Sequence, residues 1–209
     1  MNFFNLFKKT KIDNFSQSGQ DQFAYNLTGK NGIYLEIGAH HPITNSNTYK
    51  LEKECNWRGI GVEYDHSFKN YWQQCKERKN EIIWDDAFNV NYLEILNKKD
   101  FPRRINYLSC DIEPPKNTFE ILRKIINYNI IFDFISFEHD KYNIGEEYEK
   151  ISETFLKEKG YKIAIKDVYS RTKKYKIYET WFVYQDIIFE ETKYGDWKKK
   201  YYKKNQFQL

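Results

Sequence analysis

From about residue 30 onward, short apolar runs alternate with amphipathic ones, and turn residues separate them. The strand-like runs are Gly32 to Ile37, Gly59 to Glu63, Glu81 to Trp84, Ile105 to Cys110, Ile131 to Phe137, Tyr161 to Lys166 and Tyr178 to Tyr184. Helix-like segments lie between most of them, roughly over 46–56, 67–77, 91–97, 117–126 and 145–159. The run Ile131 to Phe137 is nearly continuous in apolar residues, as expected of a strand buried on both faces. Alternation of this kind implies a mostly parallel sheet with helices on both faces. The last two strands pair as a hairpin. In such sheets ligands bind at the carboxyl ends of the strands, so the residues at those ends carry the functional argument.

The chain has 209 residues, enough for one α/β domain and thin for two. Domain 1–209 is read as a single unit, with 1–30 as an N-terminal extension and 186–209 as a basic-aromatic C-terminal tail. With 18 Tyr and 16 Phe, the composition is that of a folded chain. The 34 basic and 30 acidic residues are interspersed over most of the chain, giving a net charge of +4 and no strong nucleic-acid footprint. The exception is the run of Lys198, Lys199, Lys200, Lys203 and Lys204 around Tyr201 and Tyr202. Such a run is most simply a solvated tail, and it can also bind phosphates. Three cysteines, Cys55, Cys75 and Cys110, make neither a disulfide framework nor a zinc motif; reduced thiols fit a cytoplasmic protein. No apolar run approaches the roughly 20 residues of a membrane span. Phe3, Phe4, Leu6 and Phe7 precede Lys8 and Lys9, an order and length that do not suit a secretory leader. The aromatic C-terminal third can complete the core or pack on a second copy, which leaves a homo-oligomer open.

Strand by strand, the ends are polar. The first closes with Glu36-Ile37-Gly38-Ala39, where glycine permits close approach of a ligand. The residues that follow, His40 and His41, do not supply GxGxxG, which counts against a dinucleotide. The second closes with Glu63, placed to accept from ribose hydroxyls. After the third come Asp85, Asp86 and Ala87, an acceptor and a backbone donor suited to adenine. The fourth ends in Cys110-Asp111-Ile112-Glu113-Pro114-Pro115. Asp111 and Glu113 lie two apart and share a side in extended backbone. The fifth ends in Glu138-His139-Asp140. Neighbouring strand ends lie about 5 Å apart, so these acids converge if the fourth and fifth strands are neighbours, and a cation or a shared proton is then needed to relieve them. Oxygen ligands of this kind favour Mg²⁺, Mn²⁺ or Ca²⁺ over zinc.

Six stretches together resemble the FkbM-type methyltransferase family: SQSGQD (16–21), YLEIGAHHP (34–42), SNTYKL (46–51), WRGIGVE (57–63), LSCDIEPP (108–115) and FEHDKY (137–142). They span about three-fifths of the chain. The resemblance implies an α/β, Rossmann-like class I methyltransferase fold, with a mostly parallel seven-stranded sheet and an antiparallel last strand. It implies S-adenosylmethionine (SAM) over Glu36, Gly38 and Ala39 beside Asp111, with ribose on Glu63 and adenine near Asp86 and Ala87. Asn47 and the pair Gln20 and Asp21 then close the pocket. The acids also look like the metal site of certain sugar O-methyltransferases, which implies Mg²⁺ or Mn²⁺ on Asp111, Glu138 and Asp140. A sugar or glycan hydroxyl is the implied acceptor, with Glu113 or His139 as general base. Two alternatives stand beside it: a catalytically degenerate binding module, and a nucleic-acid methyltransferase, for which no Asn-Pro-Pro-Tyr type of motif is present.

Overall fold

The computed structural model describes residues 15–170 and 176–202. The Phe-rich start and Lys203 and Lys204 lie outside the described residues. The chain runs α1 (Gln20–Thr28), β1 (Ile33–Ile37), α2 (Tyr49–Cys55), β2 (Arg58–Glu63), α3 (Lys69–Gln74), β3 (Glu81–Trp84), α4 (Tyr92–Lys98), β4 (Arg104–Cys110), α5 (Pro115–Asn127) and β5 (Ile131–Glu138). It continues with α6 (Lys141–Ile144), α7 (Glu147–Glu158), β6 (Tyr161–Tyr169), β7 (Ile177–Tyr184), β8 (Thr192–Lys193) and α8 (Tyr194–Trp197). Among the described residues, all strands join one sheet in the order β3-β2-β1-β4-β5-β7-β6-β8. β7 runs antiparallel to both β5 and β6, and the other pairings are parallel. The expected seven-stranded sheet is thus extended to eight by the two-residue β8, which pairs with β6 at Ile165 and Lys166.

Both faces of the sheet are covered. Ile33, Leu35 and Ile37 of β1 face one apolar layer with α4, α5 and α7, whereas Tyr34 faces the other, with α1, α2 and α8. Strand period two produces this division. On the second face the chemistry changes along each strand. Tyr34, Tyr107 and Phe134 form an aromatic row; one step on, Glu36, Ser109 and Ser136 lie side by side. Tyr107 stacks on Phe134 with ring centroids 4.7 Å apart. Its hydroxyl meets Ser136 Oγ at 2.8 Å. The apolar layer therefore stops one residue short of the carboxyl ends and gives way to a polar floor.

The two terminal segments both contribute to the core. Part of the segment 1–30 is core: α1 buries Phe23 and Ala24. So is part of 186–209, because Tyr194 and Trp197 are buried. Trp197 packs on Trp181 and Phe23 with centroids at 5.2 and 5.7 Å. Such aromatic contacts contribute about 0.5–1.5 kcal/mol each beyond their burial. Lys198 lies over the rings of Tyr169 and Tyr194, so the first lysine of the basic run is attached to the core. Among the described residues no helix is long and apolar enough to cross a membrane. All three cysteines are free and buried.

Candidate functional site

A cleft of about 780 Å³ opens at the carboxyl ends of the parallel strands, within the range of about 300–1,000 Å³ usual for small-ligand sites. Of the residues singled out as cofactor contacts, Gln20, Glu36, Gly38, Ala39, Asn47, Glu63, Asp86, Ala87 and Asp111 all line it. Asp21 does not. Its Oδ1 accepts from Ser16 Oγ and from the Gln22 amide, so it fastens the start of α1 rather than facing the cleft.

β1 brings Glu36 into the floor. The carboxylate is 2% exposed, accepts from Thr48 Oγ1 at 2.6 Å and lies 3.6 Å from the Arg78 guanidinium. Burial pushes this carboxyl up to about 7, against the opposing pull of Arg78 and Thr48. Past β1 the chain turns at Gly38, with φ +83°. A Cβ there would lie 1.8 Å from the carbonyl oxygen of Asp111, so only glycine fits. At the end of β2, Glu63 accepts from the amides of His40 (2.6 Å) and Asp65 (2.7 Å), one on each oxygen. Each oxygen keeps a second lone pair for a ligand hydroxyl. After β3, Asp86 accepts from the Phe88 amide, and the Ala87 carbonyl accepts from the Tyr92 hydroxyl. Asn47 donates to Ser109 Oγ at 3.0 Å, whereas its Oδ1 is buried with no hydrogen-bond partner. An acceptor in that state stands ready for a donor.

The acids after β4 and β5 converge, though not in the expected set. Oxygens of Glu113, Glu138 and Asp140 lie within 4.8 Å of one another. Asp111 lines the cleft but stands outside this group, so Glu113 takes the place expected for it. The two-residue spacing could have signalled either acid.

His139 is also placed differently. It is fully buried, does not line the cleft, and its ring is engaged on both sides. Nδ1 accepts from the Lys141 amide at 3.2 Å, which leaves Nε2–H to donate to Thr180 Oγ1 at 3.1 Å. The ring thus ties β5 to β7, and burial holds it down at about 4, neutral at physiological pH. Of the two residues read as base candidates, only Glu113 lines the cleft. An unfolded histidine titrates at about 6.5, so the unfolded chain takes up a proton that the folded one refuses. Stability then falls as pH drops through 6.5 towards 4. His139→Gln is expected to remove about 1.4 kcal/mol of the loss between about pH 7.5 and 5.5. Urea melts of both proteins at the two pH values check this; equal losses would mean that the ring is not held neutral.

Several contributors carry no sequence signal of their own. Glu179 of β7 faces the cleft opposite Glu138 and accepts from Gln20 Nε2 and from the Trp181 indole. Phe68 closes over the His40 ring at 4.1 Å. His41 Nδ1 accepts from the amides of Ile43 and Thr44, a structural use. Nine carboxylates line the cleft and, among the described residues, no lysine or arginine does. The cleft is built for positive or neutral ligands.

No family model matches the sequence, and no curated protein matches it. Solved structures do match the fold. A fibrillarin pre-rRNA processing protein from Methanococcus jannaschii aligns at TM-score 0.51 and 18% identity, over 75% of this chain and 67% of its own. Aeropyrum pernix fibrillarin, solved with natively bound S-adenosyl-L-methionine, aligns at TM-score 0.50 and 16% identity, over 80% of this chain and 76% of its own. Strand order, the antiparallel β7 and these alignments together give the chain a Rossmann-like methyltransferase fold.

Proposed function

We propose that the cleft binds SAM and that the chain transfers its methyl group to a hydroxyl oxygen of a sugar or glycan, as the FkbM-type resemblance implies. The observation that carries this reading is the series of acids, one or more per strand end, along a single cleft without lysine or arginine among the described residues. SAM supplies a methyl group on a positively charged sulfur, and it carries an ammonium group. The residues present suit that chemistry. Glu63 has lone pairs for both ribose hydroxyls. Asp86 and Ala87 flank the place for adenine. Asn47 Oδ1 offers a buried acceptor for an amine. Alignment of acceptor and methyl donor can supply about 7–11 kcal/mol of barrier reduction. Glu113, at the open side of the cleft, takes the proton from the acceptor oxygen.

The same group suits a hard cation. Glu113, Glu138 and Asp140 would hold Mg²⁺ or Mn²⁺, and an ion there would acidify a hydroxyl bound to it. Mn²⁺ titration followed by electron paramagnetic resonance tests the site without any turnover. The acidic lining disfavours the phosphates of a nucleic acid. Salt-dependent binding of RNA with a steep slope would instead support the nucleic-acid reading.

Calorimetric titration with SAM and with S-adenosylhomocysteine tests the proposal. Hydrogen bonds to a charged acceptor contribute about 1.5–3 kcal/mol. Glu63→Ala is accordingly expected to weaken both ligands roughly tenfold to a hundredfold. Equal affinity in the two proteins would overturn the ribose placement. Absence of binding by the unaltered chain would favour a binding module on a methyltransferase fold.

A further inference from the structure

Arg78 belongs to no strand end and does not line the cleft, yet it touches several of the residues that support it. It follows α3 in a turn closed by its own amide on the Cys75 carbonyl. Its side chain is 1% exposed. Nη1 donates to the Pro42 carbonyl at 3.2 Å and to Ser46 Oγ at 3.1 Å. Nη2 donates to Thr48 Oγ1 at 3.0 Å and to the Tyr34 hydroxyl at 3.3 Å. Nε lies 2.9 Å from Glu52 Oε2. The guanidinium carbon sits 4.3 Å from the centroid of the Trp72 ring, and the Trp72 indole donates to the His40 carbonyl at 2.7 Å.

From this geometry we infer that Arg78 is the positioning residue of the cleft: its guanidinium holds the segment 39–48 in shape and fixes the Glu36 carboxylate beneath it. The inference rests on the proposed cofactor site only for its consequence in binding. The two Nη groups of the planar fork meet four acceptors at once, with Nε in ionic contact with Glu52; an ammonium group on a flexible stem cannot do this. A buried network with one cation and several acceptors is highly sensitive to loss of that cation. Besides burial, Glu36 has Arg78, the Thr48 hydroxyl and the Asn47 amide on the favourable side and Glu52 on the unfavourable side. Glu36 therefore changes charge near neutrality, at a level set by Arg78 against burial. A cationic ligand that needs the ionised carboxylate binds better above about pH 7, so SAM affinity is expected to rise roughly tenfold from pH 6 to pH 8.

The test uses the full chain with ¹³C-labelled glutamate carboxyls, titrated by NMR, with the Glu36 signal assigned through Glu36→Gln. In the unaltered protein its midpoint is expected at about 7. Arg78→Met is expected to raise it by roughly one pH unit or more, and Glu52→Gln to lower it, because one removes a cation and the other an anion. Arg78→Lys keeps the charge and loses the fork. It should leave the midpoint nearly in place while amide exchange across 39–48 accelerates roughly tenfold or more. Should Arg78→Met not fold, Glu52→Gln and Arg78→Lys carry the test. An unmoved midpoint in Glu52→Gln, or unchanged exchange in Arg78→Lys, overturns the inference. If the unaltered protein binds neither SAM nor S-adenosylhomocysteine at any pH, the cofactor reading fails, while titration and exchange still decide the role of Arg78.

Discussion

Replacing Glu113 by Gln is expected to lower methyl transfer about 10²–10⁴-fold while SAM affinity stays close to that of the unaltered chain. The substitution keeps the size of the side chain and its hydrogen-bonding reach. It removes the capacity to take a proton and one negative charge from the group formed with Glu138 and Asp140. Both routes by which the acceptor oxygen can be activated pass through that residue. Under the proposed function it would be the base without an ion and a ligand with one, so that its loss would weaken the ion. Single-turnover transfer of labelled methyl to a sugar acceptor, at saturating SAM, reads the effect. A fall of less than about tenfold would place proton removal elsewhere along the cleft. Equal losses in Glu113→Gln and Glu63→Ala, with binding affected in both, would mean that Glu113 serves the cofactor and not the acceptor.

Gly38→Ala is the second large effect, and it acts on stability. A left-handed backbone costs a non-glycine residue about 1–2 kcal/mol. The added Cβ would lie 1.8 Å from the Asp111 carbonyl oxygen, an approach that backbone must give way to. Overpacking of this kind adds about 1–3 kcal/mol, so the sum is about 2–5 kcal/mol. The chain must part β1 from the exit of β4, and that is where Glu36, Asp111 and Glu113 stand. Denaturant unfolding should show the loss of stability, and calorimetry should show that SAM binding is lost with it even where the chain remains folded. A variant that binds SAM normally would remove Gly38 from the site.

The strand ends were legible because a parallel sheet exposes them one after another on one edge, and acids at Glu36, Glu63, Asp86 and Asp111 follow apolar runs at short range. That pattern is local, and periodicity finds it. The choice between Asp111 and Glu113 is not local. It depends on how the chain leaves β4 towards Pro115, the first residue of α5. His139 is hard to read for a related reason: a histidine between two acids looks chemical, whereas here it stands just past the end of β5 with its ring on Thr180 and not in the cleft. Arg78 was invisible. It sits in the run Lys76-Glu77-Arg78-Lys79, where nothing in the charge pattern sets it apart, and only tertiary contact with Glu36, Glu52 and Thr48 does. The helix at Gln20–Thr28 was missed because its buried face needs partners from the far end of the chain.

Those partners have a consequence in time. Phe23 packs on Trp181, Phe189 and Trp197. The Tyr194 hydroxyl donates to the Ser18 carbonyl, and Gln20 Nε2 meets Glu179. A ribosome makes residues 18–23 early and residue 197 more than 170 residues later. At about 5–20 residues per second, the wait is on the order of ten seconds or more. The central strands can pair meanwhile, but this wall of the cleft settles only after residue 197 has been made, so a nascent chain stalled before residue 194 would hold paired central strands beside an open site.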